Sequence, residues 1–256
     1  MFASRILVLI PHPDDEVVGC CAAIGRAHRD GAQVFGLYLS DGIPARELLW
    51  PWRRKRRDAQ AEARWDEAAQ VRARLGMVDA GRLDAPTRTL RLRLAEAEAR
   101  IARVLGETQA QVIWCPAFEG AHQDHDAANA LASRFAGRTK IWEFAEYNHA
   151  GGRTRSQEFP ATRGGEIAIE LDEAEQAFKR GLLGEYASER ANLAHIKVSR
   201  EAFRPLPRYD YAYPPHPGTL FYARFRWVRL HPRVDRTDPA LVYRALSAFL
   251  DSPPPR

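Results

Sequence analysis

The 256-residue sequence predicts an α/β fold, a doubly wound, mostly parallel sheet with helices on both faces and a C-terminal elaboration. Three observations predict it. Apolar runs alternate with helical segments five times within about the first 145 residues. The apolar runs are continuous rather than alternating, as in strands buried on both faces. Glycine or proline closes most of the segments.

Ile6-Leu7-Val8-Leu9-Ile10 is the first strand, apolar throughout and partly β-branched. Glu16 to Arg29 follows as an Ala-rich helix closed by Gly31. Val34 to Leu39 is the second buried strand, and Ser40-Asp41-Gly42 is its turn. A long helix runs from about Arg53 to Leu75 and stops before Gly76. Val78 to Leu83 is a weak third strand, and Leu92 to Leu105 is a helix stopped by Gly106. Val112 to Cys115 is the fourth strand, ended by Pro116. His125 to Phe135 is helical with Gly137 after it, and Lys140 to Phe144 is the fifth strand.

The remainder is less regular. Ile167 to Leu171 reads as a strand and Asp172 to Tyr186 as a helix with Asp172 near its start. Pro205 to Pro217 is a Pro-rich loop, Leu220 to Val228 is strand-like, Asp238 to Leu250 is helical, and Ser252 to Arg256 is a frayed tail. The simplest organisation is one domain over 1–256, with a core at about 5–145 and an elaboration at about 146–250.

Hydrophobic residues make up 45% and charged residues 28%, ordinary values for a globular chain with a real core. The net charge of +5 is compatible with an anionic substrate or surface and does not require nucleic acid, since many soluble proteins carry such an excess without function. Cys20, Cys21 and Cys115 form no paired framework, which fits a reducing compartment. The apolar run at 6–10 is too short for a signal peptide or a membrane span, so the chain reads as cytoplasmic.

His12-Pro13-Asp14-Asp15-Glu16 lies where the first strand ends, the edge at which open α/β sheets bind ligands. As a purely structural feature it is a helix cap. As a site, His12 and Asp15 have the types and spacing of two ligands to zinc or another divalent ion. Asp14 is then free to act as a base towards water, and Glu16 stands at the helix N-terminus.

His122-Gln123-Asp124-His125 follows the fourth strand, which a doubly wound sheet places beside the first. Alone it is a polar loop with surface histidines. Joined to the first segment, His125 completes a two-His-one-carboxylate set with an open fourth position. His122 then stands beside the metal, suited to a developing oxyanion or a leaving amine. Asp124 is expected to orient His122 and keep it cationic.

These segments, with Ser40-Asp41-Gly42, Arg64-Trp65-Asp66-Glu67 leading to Leu75-Gly76, and Leu83-Asp84, resemble the PIG-L/LmbE-like N-deacetylase family over roughly residues 5 to 145. The resemblance implies a Rossmann-like fold and zinc-dependent removal of an acetyl group from an N-acetylglucosamine-type amino sugar or glycoconjugate. It implies metal ligands at His12, Asp15 and His125, a general base at Asp14, and an oxyanion stabiliser and acid at His122 backed by Asp124. Arg64 and Asp84 fall on positions that grip the sugar or its linked groups. Three features depart from the pattern. Gln123 stands where proline is usual, Gly120-Ala121 replaces a nearby tyrosine, and Tyr186-Ala187-Ser188-Glu189 matches a late Tyr-x-Ser-Gln segment only loosely.

Other readings keep the metal but change the amide, to a longer acyl chain or a conjugate, or remove catalysis and leave a carbohydrate- or metal-binding relative. No Gly-x-Gly-x-x-Gly follows the first strand, which disfavours a nucleotide-dependent oxidoreductase. The partner expected is a small amino-sugar or glycoconjugate substrate, with room for a homo-oligomer. The basic run Arg53 to Arg57 reads as a solvated helix face, and Trp50 and Trp52 as a lid or subunit contact. His149, His195, His216 and His231 lack a partner pattern, although His216 and His231 sit in loops able to reach a pocket. Cys115 has no base to make it a nucleophile.

Overall fold

The computed structural model describes residues 1–228 and 234–253. In chain order its elements are β1 (Arg5–Ile10), α1 (Asp15–Arg29), β2 (Gln33–Tyr38), α2 (Pro51–Arg54), α3 (Arg57–Leu75), β3 (Val78–Arg82), α4 (Leu94–Thr108), β4 (Val112–Pro116), α5 (Gln123–Ser133), β5 (Lys140–Phe144), β6 (Tyr147–Asn148), β7 (Arg155–Ser156), β8 (Ile167–Glu170), α6 (Glu173–Glu185), α7 (Arg190–Leu193), β9 (Arg200–Pro205) and α8 (Pro239–Asp251). The principal sheet has the order β3-β2-β1-β4-β5-β9-β8. The first five of these strands are parallel, and β9 and β8 extend the sheet antiparallel beyond β5. Strand order reverses between β1 and β4, so the two loops read as a site leave the sheet side by side.

The pleat explains the continuous apolar runs. Ile6, Val8 and Ile10 enter a core with α1, α3 and α6 on one face, while Leu7 and Leu9 enter a second core with α4, α5 and α8 on the other. Burial on both faces removes the polar alternation a half-exposed strand would show.

Several sequence expectations change. The helix expected from Arg53 to Leu75 is two helices, α2 and α3. Leu220 to Val228 is not a strand; a short 3₁₀ turn at Phe221–Ala223 opens a run of turns. Arg200–Pro205, unassigned in the sequence, is β9, and it joins the elaboration to the core sheet through β5. The tail expected at Ser252 to Arg256 lies partly outside the described residues. Among the described residues no helix is long and apolar enough to cross a membrane.

Helix α1 is broken at Cys20, where φ is −146°. The backbone groups released there are satisfied from the elaboration: Glu201 accepts the amides of Ala22 and Ala23 at 2.9 and 3.0 Å. Lys179 donates to Glu201 at 2.8 Å and to the Val18 carbonyl at 2.9 Å, and both charged side chains are fully buried. Gly19, one residue before the break, lies against the Phe144 ring, which a Cβ there would meet at 2.1 Å. Glu201→Ala strips Lys179 of its partner and leaves two buried amides open. It is expected to cost about 3–5 kcal/mol, measured by urea or thermal unfolding.

Candidate metal and catalytic site

The site forms where β1 and β4 end. After Ile10 the chain turns through Pro11-His12-Pro13 and enters α1 at Asp15. Asp14 holds this turn with φ at 152°, a conformation that costs about 1–3 kcal/mol and persists only when surrounding contacts fix it. The contacts are specific. The Asp14 carbonyl accepts the amides of Val17 and Val18 at 2.9 Å, and the Asp14 amide donates to Glu16 at 3.2 Å. Glu16 is fully buried and also accepts a short hydrogen bond from the Tyr186 hydroxyl. Burial is the main cause that lifts the Glu16 carboxyl to about 7. Glu16 therefore serves the helix start, as expected, and additionally ties it to the late Tyr186 segment.

Three donor atoms converge. His12 Nδ1 lies 3.1 Å from His125 Nε2 and 3.3 Å from Asp15 Oδ2, and the last two atoms are 3.3 Å apart. Ligands about 2.0–2.1 Å from one tetrahedral ion stand about 3.3–3.4 Å from each other. The donor set and its spacing thus fit a divalent metal, with two imidazoles and one carboxylate. Burial works against charge on these groups. For Asp15 it is outweighed by His125 and His12, which hold the carboxyl well below its usual range. For His12 it is outweighed by Asp15 and Asp124, which raise the ring to about 10.

Each imidazole is addressed from behind. His12 Nε2 lies 3.1 Å from Asp124 and 2.9 Å from the Thr87 hydroxyl. Asp124 is fully buried and accepts from Thr87, from the Arg88 amide at 2.6 Å and from the Leu90 amide at 3.2 Å. This corrects the expectation for Asp124: its carboxylate orients His12, while its backbone amide donates to His122 Nδ1 at 3.1 Å. His122 caps α5 through that bond, and burial followed by the charge of His12 holds its pKa well below the ordinary value. Burial thus disfavours the cationic form of His122, and a ring that accepts at Nδ1 carries its proton on Nε2.

Glu146, at the exit of β5, was not identified in the sequence. Its carboxylate lies 3.7 Å from His125 Nδ1, and neither group makes a hydrogen bond among the described residues. Burial, then the charges of Asp15 and Glu119, push its carboxyl well above the usual range. Such outer carboxylates fix the tautomer and direction of a ligating histidine. Glu146→Ala is expected to weaken affinity for a divalent metal about 10- to 100-fold, with Glu146→Gln retaining most of it because an acceptor remains. Competition with a chromophoric chelator measures both.

Asp14 stands beside the triangle. Burial raises its carboxyl, Arg64 lowers it and Asp15 raises it further, leaving it at about 8, close to where a general base works. Arg64 is almost completely buried; it donates to the Pro13 carbonyl at 2.8 Å, lies 3.5 Å from the Asp14 carboxylate and pairs with Glu189 at 2.6 Å. A Cβ at Gly42, whose φ is 71°, would sit 2.6 Å from this guanidinium, so the Ser40-Asp41-Gly42 turn makes room for it.

Asp84 is not brought to the site. Its side chain is 84% exposed and pairs at 3.5 Å with Arg82. Alternation after β3 turns Asp84 outward, and the same loop supplies Thr87 and Arg88 to the cavity instead. The basic run is not simply solvated: Arg57 pairs with buried Asp41, and Arg53 lines the cavity. Trp50 and Trp52 stack with centroids 5.1 Å apart, and Leu49 and Arg53 beside them line the cavity. Gln123, the departure from the expected proline, is buried and links Arg91, Asp235 and Thr237. Of the four unassigned histidines, His195 lines the cavity; His149 and His216 do not, and His231 lies outside the described residues. Cys115 is buried, which pushes its thiol up and away from the thiolate form a nucleophile needs.

The cavity has a volume of about 670 Å³ and is lined by His12, Asp14, Asp15, Arg64 and His122 and by Tyr147, His195 and Phe221; the Tyr147 ring also lies 5.9 Å from that of His125. That volume holds a sugar-sized ligand.

No match is found among curated protein sequences. Among solved structures, a zinc-inhibited form of teicoplanin deacetylase Orf2 is similar with a TM-score of 0.60 and 17% identity, covering 80% of this chain and 99% of that one. N,N'-diacetylchitobiose deacetylase from Pyrococcus horikoshii has a TM-score of 0.58 and 15% identity, covering 83% and 87%. GalB, a 4-carboxy-2-hydroxymuconate hydratase from Pseuodomonas putida, has a TM-score of 0.52 and 15% identity, covering 81% and 98%. At such identities the likeness shows the α/β fold alone, and different chemistries share it. The sequence itself matches the family described as PIG-L, GlcNAc-PI de-N-acetylase, over residues 7–136. That span contains the metal triangle, Asp14, Arg64, His122 and Asp124, and the chain belongs to the PIG-L family of de-N-acetylases.

Proposed function

We propose that the protein is a zinc-dependent N-deacetylase that hydrolyses the N-acetyl group of an N-acetylglucosamine-type amino sugar or glycoconjugate, releasing acetate and a free amine. The observation that carries this reading is the triangle of His12, Asp15 and His125, of which His12 and Asp15 line one cavity together with Asp14. A divalent ion held by that triangle supplies Lewis acidity towards an amide carbonyl and towards water. The protein's own groups supply the rest. Asp14, poised by Arg64, accepts a proton as water attacks the acetyl carbon. The Nε2–H of neutral His122 donates to the oxygen that gains negative charge. Asp14 then returns the proton to the departing nitrogen. Asp124 and Glu146 hold the two ligating rings.

The test is acetate release from N-acetylglucosamine derivatives by zinc-loaded protein, compared with N-acyl analogues of longer chain. Acetate release from the sugars with little turnover of the longer chains supports the reading. The reverse preference would move the activity to another amide, and hydrolysis of none would reject it. His122→Ala is expected to keep its zinc and to lose about 10²–10³ in kcat. Free Cys20, Cys21 and Cys115 are consistent with a reducing, cytoplasmic setting.

A further inference from the structure

The carboxylates that line the cavity are engaged. Asp15 faces the two ligating imidazoles, Asp14 and Glu189 face Arg64, and Asp235 accepts from Gln123 at 2.5 Å. Two cations on the same walls have no such partner. Arg224 and Arg53 line the cavity and make no ion pair among the described residues.

Arg224 is the better placed of the two. Its guanidinium carbon lies 3.3 Å from the Phe221 ring centroid and 4.5 Å from that of Phe225. One amino group donates to the Phe221 carbonyl at 2.6 Å. The plane of the guanidinium is thereby set against an aromatic wall, which Tyr147 and His195 continue with centroids 4.6 and 5.2 Å from Phe221. Burial lowers the pKa of Arg224, and Tyr147 opposes this. A partly buried guanidinium without a carboxylate loses hydration that a ring face returns only in part. Its remaining N–H donors match the planar geometry of an oxyanion.

We propose that Arg224, assisted by Arg53, forms a subsite for a carboxylate or phosphate carried by the substrate beyond its acetamido group. The metal end of the cavity then takes the acetamide and the Arg224 wall takes the anion. The proposal depends on the deacetylase reading for the reacting end of the substrate; binding of the anion stands apart from turnover.

The experiment compares three glycosides of N-acetylglucosamine that differ only in the aglycone: methyl, carboxymethyl, and the sugar 1-phosphate. Acetate release gives the ratio of kcat/KM for each anionic compound to the methyl glycoside, and calorimetric titration gives the same ratio for binding. The wild type is expected to favour at least one anionic compound about 10- to 100-fold, the range of a charge-assisted contact. In Arg224→Met that ratio falls to about one, and in Arg224→Lys it is intermediate. Which compound is favoured distinguishes carboxylate from phosphate. A wild-type ratio of about one in both readouts, or a preference unchanged in Arg224→Met, overturns the subsite. If no compound is hydrolysed while the binding ratio behaves as expected, the deacetylase reading fails and the subsite stands.

Discussion

Asp14→Asn is expected to retain its metal and to lose about 10²–10⁴ in kcat. Asparagine is the informative replacement because it tolerates positive φ better than most residues, so the strained turn at 152° is kept. It also keeps the size and one acceptor oxygen that Asp14 presents to Arg64. What it loses is the capacity to accept a proton. Elemental analysis of zinc alongside steady-state kinetics separates the outcomes. Wild-type turnover would remove Asp14 from the chemistry. Loss of zinc together with activity would make it a structural part of the metal turn.

The second large effect concerns the triangle. His12→Ala and His125→Ala each remove one of the three donors. Zinc affinity is expected to fall by more than about 100-fold, beyond the range for loss of an outer partner alone. The readout need not be activity. A ligand at 100 times its Kd stabilises the folded state by about 2.7 kcal/mol, or very roughly 5–11 °C in Tm for a chain of this size. Wild-type protein should show such a gain on adding zinc at saturating concentration, and neither variant should. Unchanged zinc content in either variant would reject this ligand set. The two variants differ in their neighbours: His12→Ala also leaves Asp124 facing Thr87 and two backbone amides without its imidazole, whereas His125→Ala isolates Glu146.

Some of this arrangement was local enough to read directly. Strands β1, β2 and β4 announced themselves as apolar runs because both faces of each are buried, whereas the edge strand β3, largely exposed, gave only a weak signal. The adjacency of His12 and His125 followed from topology, since strand order reverses between the first and fourth strands. Arg64 carried a signal that could have been used further. Ala61, Arg64, Ala68, Val71 and Leu75 repeat at helical spacing and are all buried, so the arginine stands in a core-facing stripe where a charge needs partners.

Other residues carried no such signal. Glu146 lies two residues beyond the fifth strand, and nothing in its neighbours distinguishes a site carboxylate from a surface one. Thr87 reaches His12 through the path of a loop, which side-chain periodicity does not encode. Asp84 went the other way: its position suggested a contact, and the loop turned it to solvent. Strand β9, which lies between β5 and β8, was missed because Arg200–Pro205 contains the buried charges Glu201 and Arg204, which break the apolar pattern. Their burial is paired, Glu201 with Lys179 and Arg204 with Glu143, and pairing is a property of the folded chain.

The amino-acid sequence by itself therefore determined the parallel core, the two loops that meet and the residue types able to hold a divalent ion. Each of these depends on hydrophobic periodicity or on chemistry within a few adjacent positions. Tertiary structure alone decided which carboxylate lies against which histidine, that the Asp124 amide holds His122 Nδ1, and that Arg53 and Arg224 line the cavity without an ion pair among the described residues. Those outcomes depend on distances between side chains far apart along the chain, and in a low-dielectric interior such distances set protonation and orientation.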